Sequence, residues 1–149
     1  MIAMSNSRHI KIHFQTEGYL GDEEQLIVET LWAVPVAEDY RINNIPFYAY
    51  GVAWEDIVKA DVDDNGDLSF VSLVKPSGNS VVRIRPDDET DTEHIVEQLK
   101  QMGCDAEIFV SNQLIAVHIP VVVEYTKVKT YLEASRSILD YEEACLGWT

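Results

Sequence analysis

Apolar and polar residues alternate through Ile10-Lys11-Ile12-His13-Phe14, the two-residue rhythm of a half-buried strand. Residues 26–36 form a second β-rich run ending near Pro35, and the polar stretch 18–24 reads as the turn between the two. Residues 41–50 crowd Ile42, Ile45, Phe47, Tyr48 and Tyr50 around Asn43-Asn44 and Pro46, which predicts a short strand and then an irregular aromatic connection. Its tyrosines line a groove or fill the core. Runs at 52–62 and 68–74 flank Asp63-Asp64-Asn65-Gly66-Asp67, and Asn-Gly between apolar runs predicts a hairpin, because a type I′ turn needs positive φ twice. A loop at 75–79 leads into a strand at 80–85, which Pro86 ends.

From there the rhythm changes. Thr90 and Glu93 have capping-box spacing, Ile95, Val96, Leu99 and Met102 repeat at helical intervals, and Gly103 stands where a C-terminal cap belongs. Residues 105–110 and 113–119 read as strands around Ser111-Asn112, with Pro120 closing the second. Tyr125, Val128, Tyr131 and Leu132 share one face of a second helix over 124–135, and 138–145 return as a final strand. The order from Ser80 is that of a ferredoxin-like βαββαβ unit. The expected fold is therefore α+β, an N-terminal antiparallel β-sheet or partial barrel packed on that unit. Without repeats or a Gly/Ser linker, residues 1–149 are expected to form a single compact domain, mainly β over 1–79 and ferredoxin-like over 80–149.

Composition narrows the function classes. Of 149 residues 46% are apolar and 25% charged, and the longest apolar runs, such as 119–123, are far too short to cross a bilayer, so no membrane association is expected. Residues 1–8 carry no apolar stretch of signal-peptide length, which predicts a cytoplasmic protein. Against 26 acidic residues stand 11 basic ones, a net charge of −15 that repels phosphate backbones and attracts cationic protein surfaces. Direct nucleic-acid binding is not expected. Cys104 and Cys145 lie in apolar contexts and read as buried free thiols.

Specific chemistry is sparse. Residues 61–67 place acidic oxygens at calcium-loop positions one, three and five with Gly66 at six, but Ser72 occupies position twelve, where a bidentate Glu is needed, and strand patterning flanks the loop. An acidic hairpin turn is the simpler account. His9, His13, His94 and His118 show no zinc-ligand spacing, and Ser77-Gly78-Asn79-Ser80 lacks both the nucleophile elbow and the phosphate cradle. Asp140, Glu142 and Glu143 are too common a combination in so acidic a chain to mark an acid/base pair, and they would hold the Cys145 thiol protonated. No motif asks for a cofactor or a metal.

The distribution of charge is more informative. Asp87, Asp88, Glu89, Asp91 and Glu93 cluster at the start of the first helix, where its dipole stabilises them. Together with Asp61, Asp63, Asp64 and Asp67 in the hairpin and Glu142 and Glu143 near the end, they could present a negative face to a basic partner.

At Glu29-Thr30-Leu31-Trp32-Ala33, Arg41-Ile42-Asn43-Asn44-Ile45-Pro46-Phe47 and Gly51-Val52-Ala53 the chain resembles the bacterial family called domain of unknown function 4265. The resemblance continues through Ser77-Gly78-Asn79-Ser80-Val81-Val82-Arg83, Gly103-Cys104 and Tyr141-Glu142-Glu143-Ala144-Cys145. It implies no activity. At Asn79 the family pattern is expected to carry His, so a mechanism relying on a histidine there is closed to this member.

The leading expectation is a non-enzymatic binding protein, an immunity protein that neutralises a basic cognate toxin such as a nuclease. Its contact residues would be Asp61, Asp63, Asp64, Asp67, Asp87, Asp88, Glu89, Asp91, Glu142 and Glu143, with tyrosine or tryptophan anchors. The alternative is a small-molecule-binding regulatory domain that holds its ligand between residues 47–54 and the ferredoxin-like sheet. An enzyme assembled from distant residues would first be sought at Cys104, Cys145 and His118.

Overall fold

The structure is a computed structural model that describes residues 9–20 and 23–147. Nine strands and two helices follow one another: β1 (Ile10–Leu20), β2 (Glu23–Val36), β3 (Asp39–Ile42), β4 (Ile57–Val62), β5 (Leu68–Lys75), β6 (Ser80–Pro86), α1 (Thr92–Gln101), β7 (Asp105–Phe109), β8 (Leu114–Ile119), α2 (Tyr125–Ala134) and β9 (Leu139–Cys145). The α+β expectation holds.

β1 to β5 form a closed barrel in sequence order. All its pairings are antiparallel except the seam, where β1 meets β5 in parallel at Ile12 with Leu68 and His13 with Ser69. Buried side chains of Ile12, Phe14, Leu31, Ile42 and Val58 fill it. Two readings of this half need correction. β1 does not stop near Phe14: it pairs with β2 from Ile10 with Ala33 out to Leu20 with Glu23, so most of the expected 18–24 turn is strand, and residues 21–22 lie outside the described residues. Polar residues hide that ribbon from a search for apolar alternation, because backbone pairing alone extends it.

The second correction concerns the acidic hairpin. It forms, but Asn65 does not take positive φ; only Gly66 does, at 84°. Asp63 builds the turn instead. Its Oδ1 accepts from the backbone N–H groups of Asn65 and Asp67 (2.9 and 3.0 Å), while its own N–H donates to the Asp67 carbonyl. β4 also starts later than the apolar run suggested, at Ile57, because residues 43–56 are tied down by side chains rather than by a ladder.

β6 to β9 make a four-stranded sheet in the order β7-β8-β6-β9, every neighbour antiparallel. α1 and α2 cover one face, where Ile84, Ile95, Leu99, Ile115, Val117, Val128 and Leu132 are buried. The barrel side of the same sheet meets Ile45 and Ala53 through Val81, Ala116 and Ala144. All six residues of β8 are therefore buried, which explains its nearly unbroken apolar run. The expected capping box at the start of α1 does not form. Asp88 accepts from the Thr90 N–H and hydroxyl at the head of a 3-10 turn, Glu89–Asp91, that precedes the helix. Gly103, at φ 98°, ends α1 as expected, and the Cys104 N–H returns to the Leu99 carbonyl at 3.1 Å.

A buried carboxylate ties the irregular connection to the loop before β6. Asp56 is 2% exposed, and it accepts from the Ala53 N–H (2.9 Å) and from the Ser77 N–H and hydroxyl (2.8 Å each). Removing it strands the Ala53 and Ser77 N–H groups, whereas the Ser77 hydroxyl keeps the Trp54 carbonyl at 2.9 Å. Asp56→Ala is expected to lower the unfolding free energy by about 3 kcal/mol, read as a lower urea midpoint at unchanged slope, with Asp56→Asn recovering part of the loss.

Candidate functional site

Strand alternation places Arg83 and Arg85 on the barrel-facing side of β6, and register sets Glu142 opposite Arg83 and Asp140 opposite Arg85 on β9. Two cross-strand pairs of opposite charge thus form a floor. Over it lies the connection 47–50, whose backbone is held from both sides. The Glu29 carboxylate, reaching from β2, accepts the N–H groups of Phe47 (2.6 Å), Tyr48 (3.0 Å) and Ala49 (2.8 Å). Arg83 donates to the carbonyls of Tyr48, at 2.8 Å, and Ala49.

Arg83 is 3% exposed, and its Nη1 lies 3.5 Å from Glu142 Oε1. The Tyr50 ring covers it, with the guanidinium carbon 4.8 Å from the ring centroid, and the Tyr50 hydroxyl donates to Glu142 Oε2 at 3.0 Å. Burial pulls this guanidinium below its ordinary value, opposed by the charges of Glu142 and Glu29. Burial and the Glu142 hydrogen bond push the Tyr50 hydroxyl up. Arg83 Nε is buried without a hydrogen-bond partner.

The result is a cleft of about 410 Å³. Phe47, Tyr48 and Tyr50 form one wall, Thr16 and Ile27 of the β1–β2 ribbon another, and Leu114 and the charged pairs the base. Phe109 stacks edge-on against Phe47 and Tyr48, at 5.6 and 6.5 Å between ring centroids, and stiffens the aromatic wall. Volume, apolar walls and a few convergent charges are the ordinary makings of a small-ligand site.

The structure separates the ten acidic residues singled out from the sequence. Asp61, Asp64 and Asp67 are exposed on the hairpin, Asp67 3.8 Å from His13, and the Asp63 carboxyl is held below its usual range by the backbone N–H of Asp67 and the other donors of its turn. Asp87, Asp88, Glu89 and Asp91 gather before α1, with Asp88 likewise lowered by the Thr90 N–H it caps. Glu142 and Glu143 part company. The first lines the cleft, whereas the second faces α2, where it accepts from the Tyr125 hydroxyl (2.5 Å) and lies 3.3 Å from Lys129 Nζ.

The other candidates lie elsewhere. Cys104 is buried beneath the helices and Cys145 half-buried at the junction, both free, and burial pushes each thiol up to about 11. Asn79 is a buried connector: its amide nitrogen donates to the Trp54 carbonyl (2.9 Å) and its Oδ1 accepts from the Val121 N–H (3.0 Å). Among the described residues no group of three His, Cys, Asp or Glu is placed to hold a metal ion. No described helix is long and apolar enough to cross a membrane. Sequence reasoning overlooked Glu29, Arg83 and Arg85. The available signal was a pair of arginines in the otherwise apolar strand Ser80–Pro86.

The family described as Domain of unknown function (DUF4265) matches residues 29–140. Among solved structures the chain is similar to one titled "Novel crystal structure of a hypothetical protein from Neisseria gonorrhoeae", at 24% identity and a TM-score of 0.79, covering 94% of this chain and 96% of that one. That likeness bears on the fold. Among curated proteins none matches the chain.

His118 lies on the same sheet face as Arg83, 4.7 Å from the Trp54 ring, buried, with Nδ1 unpartnered. Burial holds it below its ordinary value of 6.5, so the unfolded chain takes up the proton first as pH falls. Its contribution to stability is whole above that value and lost progressively below it. The drop in urea midpoint between pH 7.5 and pH 5.5, both approximate settings on either side of an ordinary histidine, is expected to be smaller in His118→Leu than in the unsubstituted protein.

Proposed function

The chain belongs to the DUF4265 family, a domain of unknown function, and on that footing we propose that it is a non-catalytic binding protein that holds a small ligand in the cleft between residues 47–50 and the barrel-facing side of the β6–β9 sheet. The observation that carries this reading is Arg83: a fully buried guanidinium holds the backbone of residues 48 and 49 over a charged floor, so that part of the wall is in place before any ligand arrives. Such preorganisation is what binding sites use to limit the entropy lost on association. Two thiols pushed up to about 11 and lying outside the lining support a binding role over a nucleophilic one.

The second half is read as ferredoxin-like, supported by its βαββαβ order and the strand order β7-β8-β6-β9. A cytoplasmic setting accompanies the proposal, supported by the two free cysteines.

A second reading, inhibition of a basic toxin by an acidic surface, is favoured by the exposed carboxylates of the hairpin and by the charge of −15. Its mark is a stoichiometric basic partner that salt removes.

The two readings separate in one experiment. A thermal-shift screen of small metabolites should raise Tm for at least one compound, and Thr16→Trp, which places an indole in the cleft from the ribbon side, should abolish that shift while leaving the unliganded Tm within a few degrees. If no compound stabilises the protein, the cleft reading gives way to the acidic-surface one.

A further inference from the structure

Resting on the cleft reading, we infer that the ligand is a zwitterion of the α-amino acid type carrying an aromatic or large apolar side chain. The floor supplies the reason. Arg83 and Arg85 lie two residues apart on β6, roughly 7 Å along the strand, and each faces a carboxylate of β9 across one register pair. A simple anion entering here meets Asp140 and Glu142 and a chain of net charge −15. A simple cation meets two guanidinium groups. A ligand with both charges on one carbon satisfies both columns, because Arg83 Nη1 and Glu142 Oε1 stand 3.5 Å apart, close enough for its carboxylate and ammonium to reach one each.

Acceptor and donor positions match that polarity. Arg83 Nε is a buried donor without an acceptor, which a ligand carboxylate supplies from the cleft side. Glu142 takes the hydroxyl of Tyr50, an aromatic side chain that is 56% exposed and precedes Gly51, a glycine at φ 74° with open space around it. The Gly51 N–H is anchored on the Ala144 carbonyl at 3.0 Å, so it is the Tyr50 side chain, not the backbone, that is free to turn. On ligand entry its ring leaves the guanidinium and its hydroxyl leaves Glu142, so that the ligand carboxylate and ammonium take their places. The apolar side chain then lies between Phe47 and Tyr48 on one wall and Ile27 on the other, over Leu114.

Calorimetry on the full chain with L-phenylalanine, phenethylamine and phenylpropionate tests this. The amino acid is expected to bind at least about tenfold more tightly than either half-molecule. Asp140→Asn, a change at a side chain 76% exposed and hence tolerable to the fold, is expected to weaken the amino acid several-fold while leaving phenylpropionate unchanged or improved. Equal binding by phenethylamine or phenylpropionate overturns the zwitterion and leaves the cleft reading standing. So does silence from all three when another compound binds and Thr16→Trp abolishes it. Silence from every compound overturns both.

Discussion

A guanidinium buried in the seam between two β-units is the constraint on which the rest of this molecule depends. Arg83 occupies the middle of a strand covered on both faces, so its charge must be answered from within the fold. Two backbone carbonyls, the Glu142 carboxylate and the face of Tyr50 answer it, and Glu29 adds a negative charge beyond them. Removing one partner of such a group typically costs about 3–5 kcal/mol, because the other is left charged and dry. That asymmetry makes Arg83 a clamp. It fixes residues 48 and 49, those residues carry the aromatic wall, and the wall defines the cleft.

The same seam explains why residues 43–56 hold a definite shape without regular structure. Glu29 meets the N–H groups of Phe47, Tyr48 and Ala49 from far away in sequence, while within the segment Asp56 accepts from the Ala53 N–H and Asn43 Oδ1 from the Trp54 indole at 3.2 Å. Buried backbone groups left unmet would each cost about 1–3 kcal/mol. The irregular connection is therefore as strongly specified as a strand, though by carboxylates and amides instead of a ladder. Gly147 shows how tightly the far end is fitted: a Cβ there would lie 2.0 Å from the Gly78 carbonyl oxygen, and its N–H donates to Ser80 Oγ at 2.9 Å.

Periodicity and apolar runs made most of the elements legible in the sequence, since both helices bury residues at helical intervals and β6 and β8 are buried almost throughout. They failed where the sequence shows no apolar alternation, as in the outer β1–β2 ribbon, and where a side chain rather than a dipeptide makes the turn, as at Asp63. The cleft was half legible. The aromatic segment 47–50 stood out as a groove or a core filling, but the partners that decide between those outcomes, Glu29 and Arg83, are 18 and 34 or more residues away and share no local pattern with it. A charged residue inside a strand of otherwise buried type was the one local clue, and its meaning depended on the barrel that covers it.

The acidity takes on a different meaning once each carboxylate is traced to its contacts. Asp63 closes a turn, Asp88 caps one, Asp56 and Glu29 satisfy interior backbone donors, and Glu143 anchors Tyr125 and Lys129. These five acids serve the fold, so part of the negative charge is accounted for by structure before any partner is considered. The cleft floor departs from the surplus of negative charge, because Arg83 and Arg85 stand there beside Glu142 and Asp140, and Asp140 also meets Arg136 at 3.3 Å. A neutral dipolar ligand approaches a chain of net charge −15 without net repulsion, while the field of that chain orients it. For the proposed ligand, mixed charge in the cleft within a strongly acidic molecule would favour a group that carries both charges over a simple anion, a form of specificity that would come from the whole charge distribution and not from the cleft alone.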